Sequence, residues 1–229
     1  MMPRFSIIIP CYNEALNLPE LISQLELLIK QNNIEFILVN NGSQDNTLKI
    51  LTKHSIPNIY IVNLEKNAGY GGGIKAGLEQ AQGEFIGWIH ADLQYSIIDS
   101  LSIINNFCGG KILLKGQRYG RTFLQSTISM AMSVFESILF GKRLYEINAQ
   151  PTIFHKELLS YMKDIPNDFS IDLYFFLFAL KYNYKIKRFR VNFIKRKYGK
   201  SSWNSGVKSV FLMTVKTLQF SFKLRRLLL

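Results

Sequence analysis

Cysteine is scarce: Cys11 and Cys108 are the whole supply in 229 residues, and neither belongs to a CxxC pair. That count excludes a disulfide framework and a sulfur-ligated metal, and it fits a reducing compartment. Acids are missing from the end of the chain, where none follows Asp172. Residues 1–110 hold 6 Lys/Arg against 10 Asp/Glu, a balance of −4; residues 111–229 hold 22 against 6, a balance of +16. A basic back half implies an anionic partner: nucleic acid, a phosphorylated substrate or an anionic membrane. Long apolar runs are missing too. Residues 124–140 are strongly apolar with only Glu136 charged, but 17 residues rich in Ser and Thr are short for a span. A buried helix, or one lying in a bilayer surface, is expected there. Residues 1–10 do not read as a signal peptide, because the apolar core is only Ile7-Ile8-Ile9 before Pro10, Asn13 and Glu14. There are no repeats, no low-complexity tracts and no Walker pattern.

What is present is core-forming material. At 48% hydrophobic and 13% aromatic, the 26.4 kDa chain can bury a large core, which suits one domain with a small appendage. Strands are predicted over residues 5–9, 35–39, 58–64 and 84–89. Between them lie helical patterns: one with Asn17 as N-cap and Leu18, Leu21, Ile22, Leu25, Leu28 and Ile29 on one face, one ending near Lys53, and one ending near Gln82. Spacings too long for hairpins demand parallel strands with right-handed crossovers, which bring four polar loops to one edge. Beyond them, strands are predicted over residues 111–115 and 185–194, and helices over 124–140 and 168–182. The tail, 207–229, mixes Phe and Leu with Lys208, Lys216, Lys223, Arg225 and Arg226, and reads as an interfacial helix. The expected layout is residues 1–204 as one domain, in halves 1–110 and 111–204, followed by the basic amphipathic tail 205–229.

The chemistry concentrates at residues 83–94. A short apolar strand runs into His90, Asp92 and Gln94 at alternate positions. In an extended chain these three point the same way, and at the C-terminal lip of a strand they can hold a divalent cation. The glycine-rich stretch Gly69-Tyr70-Gly71-Gly72-Gly73 follows the third strand rather than the first, so it is not a dinucleotide fingerprint. Its glycines allow close backbone approach, and the helix start behind them favours a phosphate.

Four motifs in order resemble the signature series of family-2 glycosyltransferases: Ile8-Ile9-Pro10-Cys11-Tyr12-Asn13-Glu14, Val39-Asn40-Asn41-Gly42-Ser43-Gln44-Asp45, Asn67-Ala68-Gly69 and His90-Ala91-Asp92-Leu93-Gln94. The likeness is greatest to the dolichol-phosphate mannose synthase-like branch and covers residues 5–120. Weaker pieces are Lys115-Gly116-Gln117-Arg118, Ile147-Asn148-Ala149-Gln150-Pro151 and Arg196-Lys197-Tyr198-Gly199-Lys200-Ser201. The resemblance implies a GT-A type fold with a mostly parallel sheet flanked by helices, a GDP- or UDP-sugar donor, a divalent cation (Mn or Mg) and inversion at the anomeric carbon. It implies Pro10, Tyr12, Glu14 and Asn41, with Asn67, Gly69 and Ala91, around the donor. Asp92, Gln94 and His90 would serve the metal. Arg118, Arg121, Arg196 and Ser201 would face the acceptor or the diphosphate. Two departures remove negative charge: His90 stands at the first acid of the usual Asp-x-Asp, and Asn40-Asn41 stand at the usual paired acids.

An acceptor that is already an anion, such as a polyprenyl phosphate, needs cations and no base. A sugar hydroxyl needs a base, and Asp172, opening an apolar helix, is the candidate. His54 and His155 read as surface or packing residues. The expected protein is a catalytic transferase working with Asp92, Arg118 and Asp172, cytoplasmic and peripheral on the inner face of the cell membrane. It would not bind nucleic acid, since no RNA-reading module is visible. A transferase acting on sugar hydroxyls in cell-surface glycan assembly, a non-catalytic scaffold and a nucleotidyltransferase are the alternatives. The sequence does not give the oligomeric state.

Overall fold

The computed structural model describes residues 4–31, 33–53, 55–107, 109–198 and 207–228. Its strands are β1 (Phe5–Cys11), β2 (Ile34–Asn41), β3 (Ile59–Leu64), β4 (Phe85–Trp88), β5 (Ile112–Tyr119), β6 (Thr152–His155) and β7 (Lys185–Asn192). Its helices are α1 (Leu18–Gln31), α2 (Thr47–Lys53), α3 (Tyr70–Leu78), α4 (Ile97–Leu101), α5 (Phe123–Phe140), α6 (Ile171–Lys181) and α7 (Val207–Leu228).

One sheet of seven strands runs β3-β2-β1-β4-β6-β5-β7. β1, β2, β3 and β4 are mutually parallel, as their long crossovers require. β6, which the sequence reading missed, inserts antiparallel to both β4 and β5. β7 then pairs parallel with β5 over its full length, from Ile112 with Lys185 to Tyr119 with Asn192. The fold is therefore an α/β, mostly parallel mixed sheet flanked by helices.

Burial of both sheet faces explains the near-continuous apolar strands. In β1, Ile7 and Ile9 point into one core with α1 and α4, while Ile8 points into the other with α3 and α6. β4 divides the same way: Phe85 faces the first core, Ile86 and Trp88 the second. α6 is apolar nearly all round and is buried from Ile171 to Leu177.

α5 is a well-terminated helix. Thr122 and Gln125 form a reciprocal capping box, and Gly141 ends it in the left-handed conformation. One side of α5 meets α7, where Phe135 and Phe222 pack edge to face at 6.1 Å. The other side is bare: Phe123 is 88% exposed and Ile138 78%. Among the described residues no helix is long and apolar enough to cross a membrane.

Glu136 is buried where α5 meets α7. Its Oε1 accepts from Ser221 Oγ at 2.6 Å, and Oε2 has no partner among the described residues. Burial pushes its carboxyl up from the ordinary value. A carboxyl raised in the folded state favours folding at acidic pH, and that contribution is lost as pH rises through the folded value. Glu136→Gln is expected to raise the melting temperature at pH 8, by on the order of 1 kcal/mol of stability, and little at pH 4. Thermal melts across pH check this; a variant less stable than the parent at pH 8 contradicts it.

Candidate active site

A cavity of about 700 Å³ opens at the C-terminal ends of β1, β2 and β4, where open α/β sheets hold ligands. The strand ends give its floor: Pro10, Tyr12, Glu14, Asn41, Asn67, His90, Ala91, Asp92 and Gln94. Arg118, Asp172 and Arg196 complete the expected residues along its wall. α5 and α7 close the far side with Ile128, Ser129, Met132, Ser133, Thr214 and Thr217. Gly69 and Arg121 are not part of this lining, and Ser201, like His54, lies outside the described residues.

The alternation at residues 90–94 is not an extended strand. β4 stops at Trp88, and Leu93 has φ 54°. Asp92 Oδ1 accepts the Gln94 N–H at 3.1 Å, a tight turn that redirects the chain into α4. Gln94 is further committed: its Nε2 donates to Ile194 O at 3.4 Å. The three side chains share the cavity wall but not the common direction expected of them. Among the described residues no three His, Cys, Asp or Glu groups converge. Asp92 nevertheless fits the role of a single carboxylate that holds Mg or Mn together with substrate phosphates.

The asparagine pair has a structural cause. Asn41 Nδ2 donates to Gly69 O at 2.9 Å, and its Oδ1 accepts the Ala68 N–H at 3.0 Å. A carboxylate could accept but not donate, so an acid here would lose half of this lock. Asn40 likewise donates to Asn63 Oδ1 at 2.7 Å.

The glycines at the start of α3 and within it let neighbouring backbone and side chains pack close. Gly69 has φ 82°, and a Cβ there would sit 2.4 Å from Asn167 O. At Gly77 it would meet Ile8 at 2.4 Å. The Gly72 N–H donates to Asn167 O at 3.0 Å, so this helix start is already occupied. The close approach expected of these glycines is made to the 166–168 segment.

Arg196 sits at the Glu14 end of the cavity. Its Nη2 donates to Glu14 Oε1 at 2.5 Å, and Lys197 pairs with Glu20 at 2.7 Å. Burial pushes the Glu14 carboxyl up, against the opposing pull of Arg196 and of Asn17. At the other end, Glu146 holds two guanidiniums: Arg118 Nε at 2.6 Å, and Arg121 Nη2. Arg121 Nε has no partner among the described residues.

Asp172 is not poised as a base. It is 1% exposed and accepts from Lys115 Nζ at 3.0 Å, with Gln150 and Thr152 beside it. Lys115, Gln150 and Glu146 had no visible role in the sequence; only the weak Lys115–Arg118 and Ile147–Pro151 pieces pointed near them. Tyr70, Tyr95 and Phe169 were missed as site residues. They and His90 form a column of rings, with Phe169 to Tyr70 at 4.7 Å and Tyr70 to His90 at 5.1 Å. Burial pushes the Tyr95 hydroxyl up to about 12, and that of Tyr70 well up. Cys11 is buried, and burial likewise raises its thiol, which leaves it unreactive.

A mixed sheet with this cavity at its strand lips is the GT-A architecture of nucleotide-sugar enzymes. The fold matches that of glucosyl-3-phosphoglycerate synthase from Mycobacterium tuberculosis, solved with Mn2+, UDP-glucose and phosphoglyceric acid, at a TM-score of 0.74 and 15% identity over 97% of this chain and 79% of that one. The family model for Glycosyl transferase family 2 matches residues 6–157, and the chain belongs to that family of enzymes. An uncharacterized glycosyltransferase of Bacillus subtilis, YkcC, is 39% identical over 145 residues, 60% of this chain and 44% of that protein. A dolichyl-phosphate beta-glucosyltransferase of Trichomonas vaginalis is 31% identical over 153 residues, 57% of this chain and 45% of that one. An undecaprenyl-phosphate 4-deoxy-4-formamido-L-arabinose transferase of Pseudomonas savastanoi is 39% identical over 94 residues, 39% of this chain and 28% of that one. The chain thus spans less than half the length of these curated relatives.

Proposed function

We propose that the chain transfers a sugar from a nucleotide-sugar donor to a polyprenyl phosphate at an anionic membrane surface. One observation carries this choice of acceptor. Among the described residues four carboxylates line the cavity; Glu14, Glu146 and Asp172 are each in an ion pair there, and Asp92 is not. A hydroxyl acceptor needs a free base; a phosphate acceptor does not. The names of the Pseudomonas and Trichomonas relatives, which act on undecaprenyl and dolichyl phosphates, point the same way.

In this reading the nucleoside lies against Pro10, Tyr12 and Glu14, and the diphosphate reaches Asp92. A divalent cation, when bound, supplies positive charge against the leaving diphosphate. Arg118, on the cavity wall, receives the acceptor phosphate, with Arg121 held by the same Glu146 outside the lining. The two share a single carboxylate, so the cluster keeps a net positive charge beside the phosphate. α7, packed on the opposite side of α5 from its bare face, exposes Lys216, Lys223, Arg225 and Arg226. Cations near an anionic bilayer contribute about 1 kcal/mol each.

The test uses phosphatidylglycerol vesicles containing undecaprenyl phosphate, with labelled UDP-glucose and GDP-mannose in turn and Mn2+. The chain is expected to pellet with the vesicles, to be released by high salt, and to place label in the lipid fraction with one donor. Label passed only to soluble sugars would select the hydroxyl-acceptor alternative. Failure to bind either donor would favour a scaffold.

A further inference from the structure

A second, smaller cavity of about 40 Å³ is lined in part from α5, α6 and α7. It has room for about three water-sized groups. Met132, Ile147 and Phe169 are walls of both cavities, so the small one adjoins the large. Ile147 follows Glu146, which holds Arg118, and Phe169 lies just ahead of Asp172. Both place the recess beside the Arg118 and Asp172 wall. Leu173 adds a further carbon wall, and Ser170 already gives its hydroxyl to Asp168 Oδ1 at 2.5 Å. Among the described residues Glu136 is the one charged group in this lining, and it is 1% exposed. Its Oε1 is taken by Ser221 of α7, and its Oε2 has no partner among the described residues. A buried acceptor left unmet costs stability. A costly polar group beside a ligand cavity points to a ligand.

Charge and size decide what can meet it. A carboxylate repels a phosphate, which excludes both the donor diphosphate and a phosphate acceptor. A polyprenyl chain carries no hydrogen-bond donor. The ribose belongs with the nucleoside, against Pro10, Tyr12 and Glu14. The hydroxyls of the sugar remain. One set directly on the ring brings the ring with it, and the ring is larger than the recess. A hydroxymethyl arm brings one carbon for the walls and one O–H for the carboxylate. We propose that the small cavity receives the exocyclic hydroxymethyl of the transferred sugar, with Glu136 accepting from its hydroxyl. This rests on the nucleotide-sugar reading of the main cavity. Glu136 then selects hexoses over pentoses and over sugars whose arm ends in a methyl. A site built to hydrogen-bond a substrate O–H rejects the analogue that lacks it, because its own buried group is left unpaired.

Calorimetry on the full chain with Mn2+ tests this with matched donors. UDP-glucose and UDP-xylose differ by the hydroxymethyl alone, as do UDP-galactose and UDP-arabinopyranose. GDP-mannose and GDP-rhamnose differ by its hydroxyl. In at least one pair the sugar with the hydroxymethyl should bind about tenfold tighter than its partner. Glu136→Met keeps the length of the side chain, and Ser221 keeps its bond to Thr217 O at 2.8 Å. This variant should bring the ratio close to one, and Glu136→Gln should narrow it. A purely structural Glu136 would change the melting temperature or weaken all donors alike and leave the ratio where it was. No preference in any pair of the parent chain overturns the proposal, and so does a preference that both variants keep; Oε2 is then met by water alone. If the parent binds UDP or GDP in that case, the donor reading stands without the subsite. If it binds neither nucleotide and none of the six donors, the donor reading falls and the proposal with it.

Discussion

Asp92→Ala is expected to abolish transfer and to weaken nucleotide binding only when a divalent cation is present. Among the described residues Asp92 is the one cavity carboxylate outside an ion pair, and the turn that holds it is built from its own Oδ1 and the Gln94 N–H. The substitution removes the charge that would hold a cation against the leaving diphosphate. Loss of a preorganised electrostatic contact of this kind costs about 10²–10³ in turnover, and loss of the cation with it costs more. Asp92→Asn separates the two roles, because it keeps the turn and removes only the charge. Turnover above a tenth of the parent value in Asp92→Ala would remove Asp92 from the chemistry.

The second large effect is on folding. Lys115 is 0% exposed and Asp172 1%, and they pair at 3.0 Å. Asp172→Ala strands an ammonium in the core, where burial already pushes its titration down and only Asp172 pulls it back. Breaking a buried pair from one side costs about 3–5 kcal/mol, a large share of the stability of an ordinary domain. At this chain length that corresponds to a melting temperature lower by roughly 10 °C. Lys115→Met combined with Asp172→Asn removes both charges and keeps an acceptor for Gln150, so it should recover more than half of the loss. Calorimetric melts of the single and double variants decide it. A single variant within 1 kcal/mol of the parent would mean that water reaches the pair.

The βα units of the first half were legible because parallel strands buried on both faces leave unbroken apolar runs, and their polar ends fall at one edge. β6 was not legible. It has only four residues, and its place between β4 and β5 is fixed by partners far away in the chain. The motif residues told where the cavity would be, and Asp92, Glu14, Arg118 and Arg196 all line it. Their engagements were hidden: Glu14 meets Arg196 across 182 positions, and Asp172 meets Lys115 across 57. Alternation misled at residues 90–94 because a single positive φ at Leu93 turns the chain, and side-chain chemistry gives no sign of it. The glycines were rightly read as allowing close approach, but the approaching surface was the 166–168 segment rather than a ligand.

The antiparallel insertion of β6 also governs how this chain can be divided. A cut near residue 110 would strip β4 of its neighbour and leave Phe85–Trp88 as an open, apolar hydrogen-bonding rim. Such rims recruit other strands, so the front portion expressed alone should self-associate. Residue 157, where the family match stops, lies just past the strand that seals that rim.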